Sequence, residues 1–134
     1  MSIYDIDDCL LFMEIKSKVT KVEFEELQKH AYELKSKNKK IMVGMFSYSS
    51  RAKRQTIVPK FGFGYDKSMD MFDTYNKKSD IYPDIDFYYN LNIYQNNNEE
   101  LPYYIVKDIS GERVLFLQPP VIGYLINLFR SVME

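Results

Sequence analysis

The chain has 134 residues, 46% apolar and 16% aromatic, with twelve Tyr, nine Phe and no Trp, enough to bury one core and too few for two. A single His and a single Cys exclude a disulfide framework, a Cys/His zinc site, a histidine pair and a conventional catalytic triad. The net charge of −1 hides a split, since residues 1–60 carry 12 Lys/Arg against 8 Asp/Glu and residues 61–134 carry 6 against 11.

The apolar runs are short and no basic stretch leads into one at the start, so the expectation is a single cytoplasmic domain over residues 1–134, not associated with a membrane. The charge split alone does not argue for nucleic-acid binding, because two ordinarily solvated halves packed together produce the same pattern.

Residues 9–16 read as the first strand, with Cys9 as a small core hydrophobe. Side chains two apart on a strand share a face, so Phe12, Glu14 and Lys16 project together. An acid and a base at the end of an apolar strand are costly to bury and ask for a reason. The bland one is an ion pair at an exposed sheet end.

A helix over residues 20–38 follows. Thr20 and Glu23 have capping-box spacing, and Val19 can pack on Phe24 as a hydrophobic staple. Phe24, Leu27, Ala31 and Leu34 form the apolar stripe, with His30 at its boundary, while Glu25–Lys29 and Glu33–Lys37 are spaced for ion pairs on the outer face. Residues 41–46 form the next strand, so a βαβ unit with parallel pairing is expected, closed by Ser47-Tyr48-Ser49-Ser50 at the sheet's carboxyl edge.

Arg51, Lys53, Arg54 and Lys60 then make a basic stretch beside Tyr48 and Phe61, read either as a solvated loop or as a strip contacting the phosphates of a nucleic acid. Phe61-Gly62-Phe63-Gly64 reads as a flexible aromatic turn, and residues 65–75 as a short helix with Met69, Phe72 and Tyr75 inward. Strands are expected over 85–94, 103–107 and 113–117, the last two joined by a turn with Gly111 in a left-handed conformation. A polar loop occupies 96–100, and a C-terminal helix over 119–132, apolar around more than half its circumference, packs deeply or meets a partner, including a second copy in a homo-oligomer. The fold class is thus α/β (α+β): a mixed central sheet with a βαβ unit, later antiparallel strands and a closing helix.

Phe12-Met13-Glu14-Ile15-Lys16-Ser17-Lys18, the capped helix and the strand 41–46 together resemble the PD-(D/E)xK nuclease superfamily over the first third of the chain. The resemblance implies Glu14 and Lys16 as catalytic residues and Mg²⁺ or Mn²⁺ as cofactor, with a second acid completing the metal shell. In that superfamily the second acid is an Asp on the preceding strand. Asp8, the nearest acid on the Glu14 face, is six residues or roughly 20 Å away along a continuous strand, too far to share an ion. Asp84 and Asp86 are the remaining candidates for the metal alongside Glu14, if their strand comes alongside.

Two functions follow as expectations. One is a nuclease-like domain, incomplete or weak in catalysis, that binds nucleic acid or nucleotide in a bacterial or phage defence setting. The other is a small inhibitor or immunity protein whose acidic, Tyr-rich C-terminal half covers a basic protein partner.

Overall fold

The computed structural model describes residues 11–92 and 102–117. It has a five-stranded mixed sheet, one long helix and a small second sheet, the α+β architecture read from the sequence. Strand β1 (Leu11–Val19) leads through helix α1 (Lys21–Lys37) into β2 (Met42–Ser50), and the two strands pair in parallel with Leu11 opposite Met42 and Val19 opposite Ser50. The chain then makes a short helix α2 (Arg54–Ile57), a 3-10 turn (Val58–Lys60) and the two-stranded ribbon β3 (Tyr65–Asp66) and β4 (Met71–Phe72). It re-enters the main sheet as β5 (Phe87–Asn90), parallel to β2, and closes with the antiparallel strands β6 (Tyr103–Lys107) and β7 (Arg113–Leu117), giving the order β1-β2-β5-β6-β7.

Helix α1 forms where its sequence demands. Thr20 is the N-cap, its backbone N–H donates to the Glu23 carboxylate at 2.8 Å, and its hydroxyl donates to the same group. That hydroxyl bond holds the Glu23 carboxyl below its usual range. Phe24, Leu27 and Ala31 are buried, Leu34 packs beside them, and Val19 lies in the same cluster. On the outer face Glu25 pairs with Lys21 at 3.7 Å rather than with the expected Lys29.

The sheet separates two cores. On the α1 side, Phe24 stacks over Tyr82 and meets the ring edges of Phe61 and Tyr88 at 4.7–5.7 Å, together with Val43, Met45 and Ile105. On the other side Phe46, Phe87, Tyr89 and Tyr104 pack with Leu11, Met13 and Phe116. Tyr82, Tyr88, Tyr89, Tyr103 and Tyr104 are all buried, so these tyrosines build the core.

Four expectations are corrected. Strand β2 runs through Ser47–Ser50 instead of stopping at 46, because its serines find partners while buried: the Ser47 and Tyr88 hydroxyls lie 2.8 Å apart, Ser49 donates to the Ser17 carbonyl and Ser50 to that of Ala52. Residues 65–75 make the β3–β4 ribbon, not a helix. Asp66 accepts from the Ser68 hydroxyl and backbone and turns the chain, Asp70 takes a φ of +49°, and Met69 is left exposed while Phe72 and Tyr75 face inward as expected. Phe61-Gly62-Phe63 is core rather than a flexible turn, with both rings buried and a Cβ on Gly62 blocked by the Tyr75 ring at 2.5 Å. The strand expected over 85–94 is confined to Phe87–Asn90 among the described residues, whereas 103–107 and 113–117 match, with Gly111 at φ +87°. Cys9, Asp8, the loop 96–100 and the helix 119–132, with any oligomer contact through it, lie outside the described residues.

Candidate nucleic-acid interface

Glu14 and Lys16 lie on the α1 side of β1, their charged atoms 3.9 Å apart, and His30 of α1 brings its Nδ1 within 3.8 Å of the Glu14 carboxylate. The carboxylate is partly shielded and faces two cationic or potentially cationic groups. Among the described residues no second acid joins Glu14 and His30 in a group that could hold a metal ion.

Asp84 and Asp86 sit elsewhere. They precede β5 at the amino ends of the parallel strands, and β2 intervenes between β5 and β1. From the register, Asp86 stands two strands across and two residues before the level of Glu14, a backbone separation of about 12 Å. Each aspartate is also already engaged. The Asp84 carboxylate accepts from the Gln28 amide at 2.6 Å, and its backbone N–H donates to the Gln28 carbonyl oxygen at 3.0 Å. Asp86 accepts from Lys35 Nζ at 2.6 Å and from the Val43 N–H at 2.9 Å, with Lys107 Nζ 3.6 Å away. Burial pulls the Lys107 ammonium below its usual range, and the neighbouring Asp86 charge opposes that shift.

The set Glu14, Asp84 and Asp86 therefore does not assemble as metal ligands, and among the described residues no group of three or more His, Cys, Asp or Glu could hold a metal ion. A divalent cation needs several oxygen donors within about 2.6 Å, and Glu14 supplies a single carboxylate beside an ammonium group. The described residues at Glu14 do not by themselves make a site for Mg²⁺ or Mn²⁺.

A different arrangement forms at the opposite, carboxyl end of β1 and β2. The Arg51 N–H donates to the Val19 carbonyl at 2.9 Å, which locks the residue after β2 against the last residue of β1. Exposed Lys18, Arg51 and Lys53 are thereby brought to one sheet edge, next to the half-exposed Lys16. Tyr48, 37% exposed, stands three residues before Arg51 on β2, its ring set edge-on against Phe46 at 5.7 Å and 87°.

The basic strip read from sequence divides here. Arg51 and Lys53 stay at the edge, whereas Arg54 turns into a groove with Tyr65, Asp70, Leu115 and Leu117. Lys60 ends the 3-10 turn, where its carbonyl accepts from the Ile81 N–H. Phe61 is buried beneath the Arg113 guanidinium, 4.9 Å from the ring centroid, and is not available to a ligand. Lys18 was not singled out in the sequence. Its signal was the parallel register, which carries every residue at the end of β1 to the end of β2.

An open pocket of about 700 Å³ lies on the far side, lined by Tyr75, Lys77, Pro83, Lys107, Ser110 and Glu112. It carries both signs of charge, with Lys77 and Lys107 beside Asp80 and Glu112, and Lys107 Nζ is 3.6 Å from Asp86.

No family model, curated protein or solved structure matches the chain. Among the described residues no helix is long and apolar enough to cross a membrane.

Proposed function

We propose that the chain is a nucleic-acid-binding α/β domain of nuclease-like build, gripping the phosphate backbone with Lys16, Lys18, Arg51 and Lys53 at the carboxyl edge of β1 and β2. The observation that carries this reading is the Arg51–Val19 backbone hydrogen bond, which gathers cations from two strands at the edge where parallel sheets place their ligands. Phosphate contacts of this kind supply sequence-independent affinity through counterion release. Glu14 acts here as a positioning group, holding the Lys16 ammonium by its ion pair at 3.9 Å.

The protein-inhibitor reading draws less support, since its tyrosines pack inside and Asp84 and Asp86 are paired within the chain. The test is fluorescence anisotropy with labelled DNA and RNA oligonucleotides at low salt. Wild-type protein binds, and the double substitution Arg51→Ala/Lys53→Ala weakens binding to every sequence by a similar factor. Equal affinity in wild type and double variant would remove the reading and return attention to a protein partner.

A further inference from the structure

The sheet edge bears one feature that phosphate binding does not use. Tyr48 is the single aromatic side chain on β2 that opens to solvent, and it does so on the face turned away from α1. Its companions there are Ile15 of β1, 59% exposed, and Ser17, also exposed. Along β2 it lies about 10 Å before Arg51. An aromatic ring beside backbone-reading cations is the combination that holds unpaired bases, because every base has a face to stack while its phosphate meets a cation. Duplex bases are already stacked on one another and offer the ring nothing.

Resting on the proposed nucleic-acid binding, we infer that this edge selects single strands, with one base stacked on Tyr48 and the adjoining phosphates held by Arg51 and Lys53 beyond the end of β2. The edge-on contact with Phe46 fixes the Tyr48 ring before any ligand arrives, which lowers the ordering cost of stacking. Ile15 supplies apolar surface against which the base edge is covered. Buried Ser47 and Ser49, which flank Tyr48 in sequence, keep the strand straight through hydrogen bonds of their own, so the ring is presented from a rigid element.

The experiment compares two fluorescein-labelled probes of equal length, an unstructured oligothymidylate and a blunt duplex, with wild type, Tyr48→Phe and Tyr48→Ala. Wild type and Tyr48→Phe are expected to favour the single strand by about 10-fold or more, and Tyr48→Ala to lose most of that preference. Circular dichroism of Tyr48→Ala checks that it folds, and Tyr48→Phe provides the answer if it does not, since a ring without the hydroxyl must still discriminate. Equal affinity of wild type for the two probes, or an Ala variant that discriminates like wild type, overturns the single-strand assignment while leaving nucleic-acid binding standing. Failure of both probes to bind at low salt takes down both readings together.

Discussion

At single positions the fold tolerates little. Gly44 of β2 lies beneath the Phe87 ring, and a Cβ there would come within 2.4 Å of three ring carbons. The ring belongs to the core on the face away from α1, beside Tyr89, so it cannot swing clear without disturbing that stack. Gly44→Ala is therefore expected to destabilise by about 1–3 kcal/mol, the usual cost of overpacking a dense core. Urea unfolding reads it directly, and an unchanged midpoint would show that the ring moves freely. The buried pair of Arg113 and Asp80 is equally exacting. Arg113 Nε donates to Asp80 at 2.5 Å with both side chains almost fully buried, and its Nη2 donates to the Tyr82 carbonyl at 2.6 Å. Asp80→Ala strands a guanidinium in the core and is expected to cost about 3–5 kcal/mol. Replacing both by apolar residues of similar volume should recover much of that loss.

Among the elements, helix α1 is where sequence and structure agree most closely, and its cap makes a pH prediction. The Glu23 carboxyl is held below its ordinary range, chiefly by the Thr20 hydroxyl. A depressed folded-state pKa adds stability that is present above the unfolded pKa of about 4.3 and disappears as pH falls through the folded value. Thr20→Ala should cost about 0.5–2 kcal/mol near neutrality and less in acid, once the pH has fallen below the folded-state value of Glu23. Chemical denaturation under the two conditions measures the difference, and a cost that does not shrink in acid would assign the effect to backbone preference alone. Local signals of this kind, caps, stripes and hairpin turns, made α1 and the β6–β7 hairpin legible. Strand β2 was misread at its end because Ser47 and Ser49 look like loop residues until their partners, Tyr88 and the Ser17 carbonyl, are known. The ribbon 65–72 escaped for the same reason: its shape comes from Asp66 and Asp70, whose turn-forming contacts override a weak helical spacing of Met69 and Phe72. The candidate site was half visible. Arg51 and Lys53 stood out by charge, but that Lys18 joins them while Arg54 and Phe61 leave depends on strand register and core packing.

Over the whole molecule, charge is sorted by the fold and not only by the halves of the sequence. The amino ends of the parallel strands neutralise themselves, with Asp86 between Lys35 and Lys107 and Asp84 held by Gln28. The carboxyl end keeps its cations exposed. A chain of net charge −1 is not drawn to a polyanion as a body, so any attraction must come from that end and must fade with salt. The logarithm of the association constant should fall linearly with the logarithm of salt concentration, with a slope set by the number of phosphates neutralised, about 0.7 for each on a single strand. With four basic side chains at the edge, the expected slope for a single-stranded probe is about −3. Arg51→Ala/Lys53→Ala should bring it to about −1.4, whereas Lys77→Ala, on the far pocket, should leave it where it was. Titrations between 50 and 200 mM salt, roughly the range over which such contacts are lost, decide the matter. A slope that responds to Lys77 and ignores Arg51 and Lys53 would move the interface to the opposite end of the sheet.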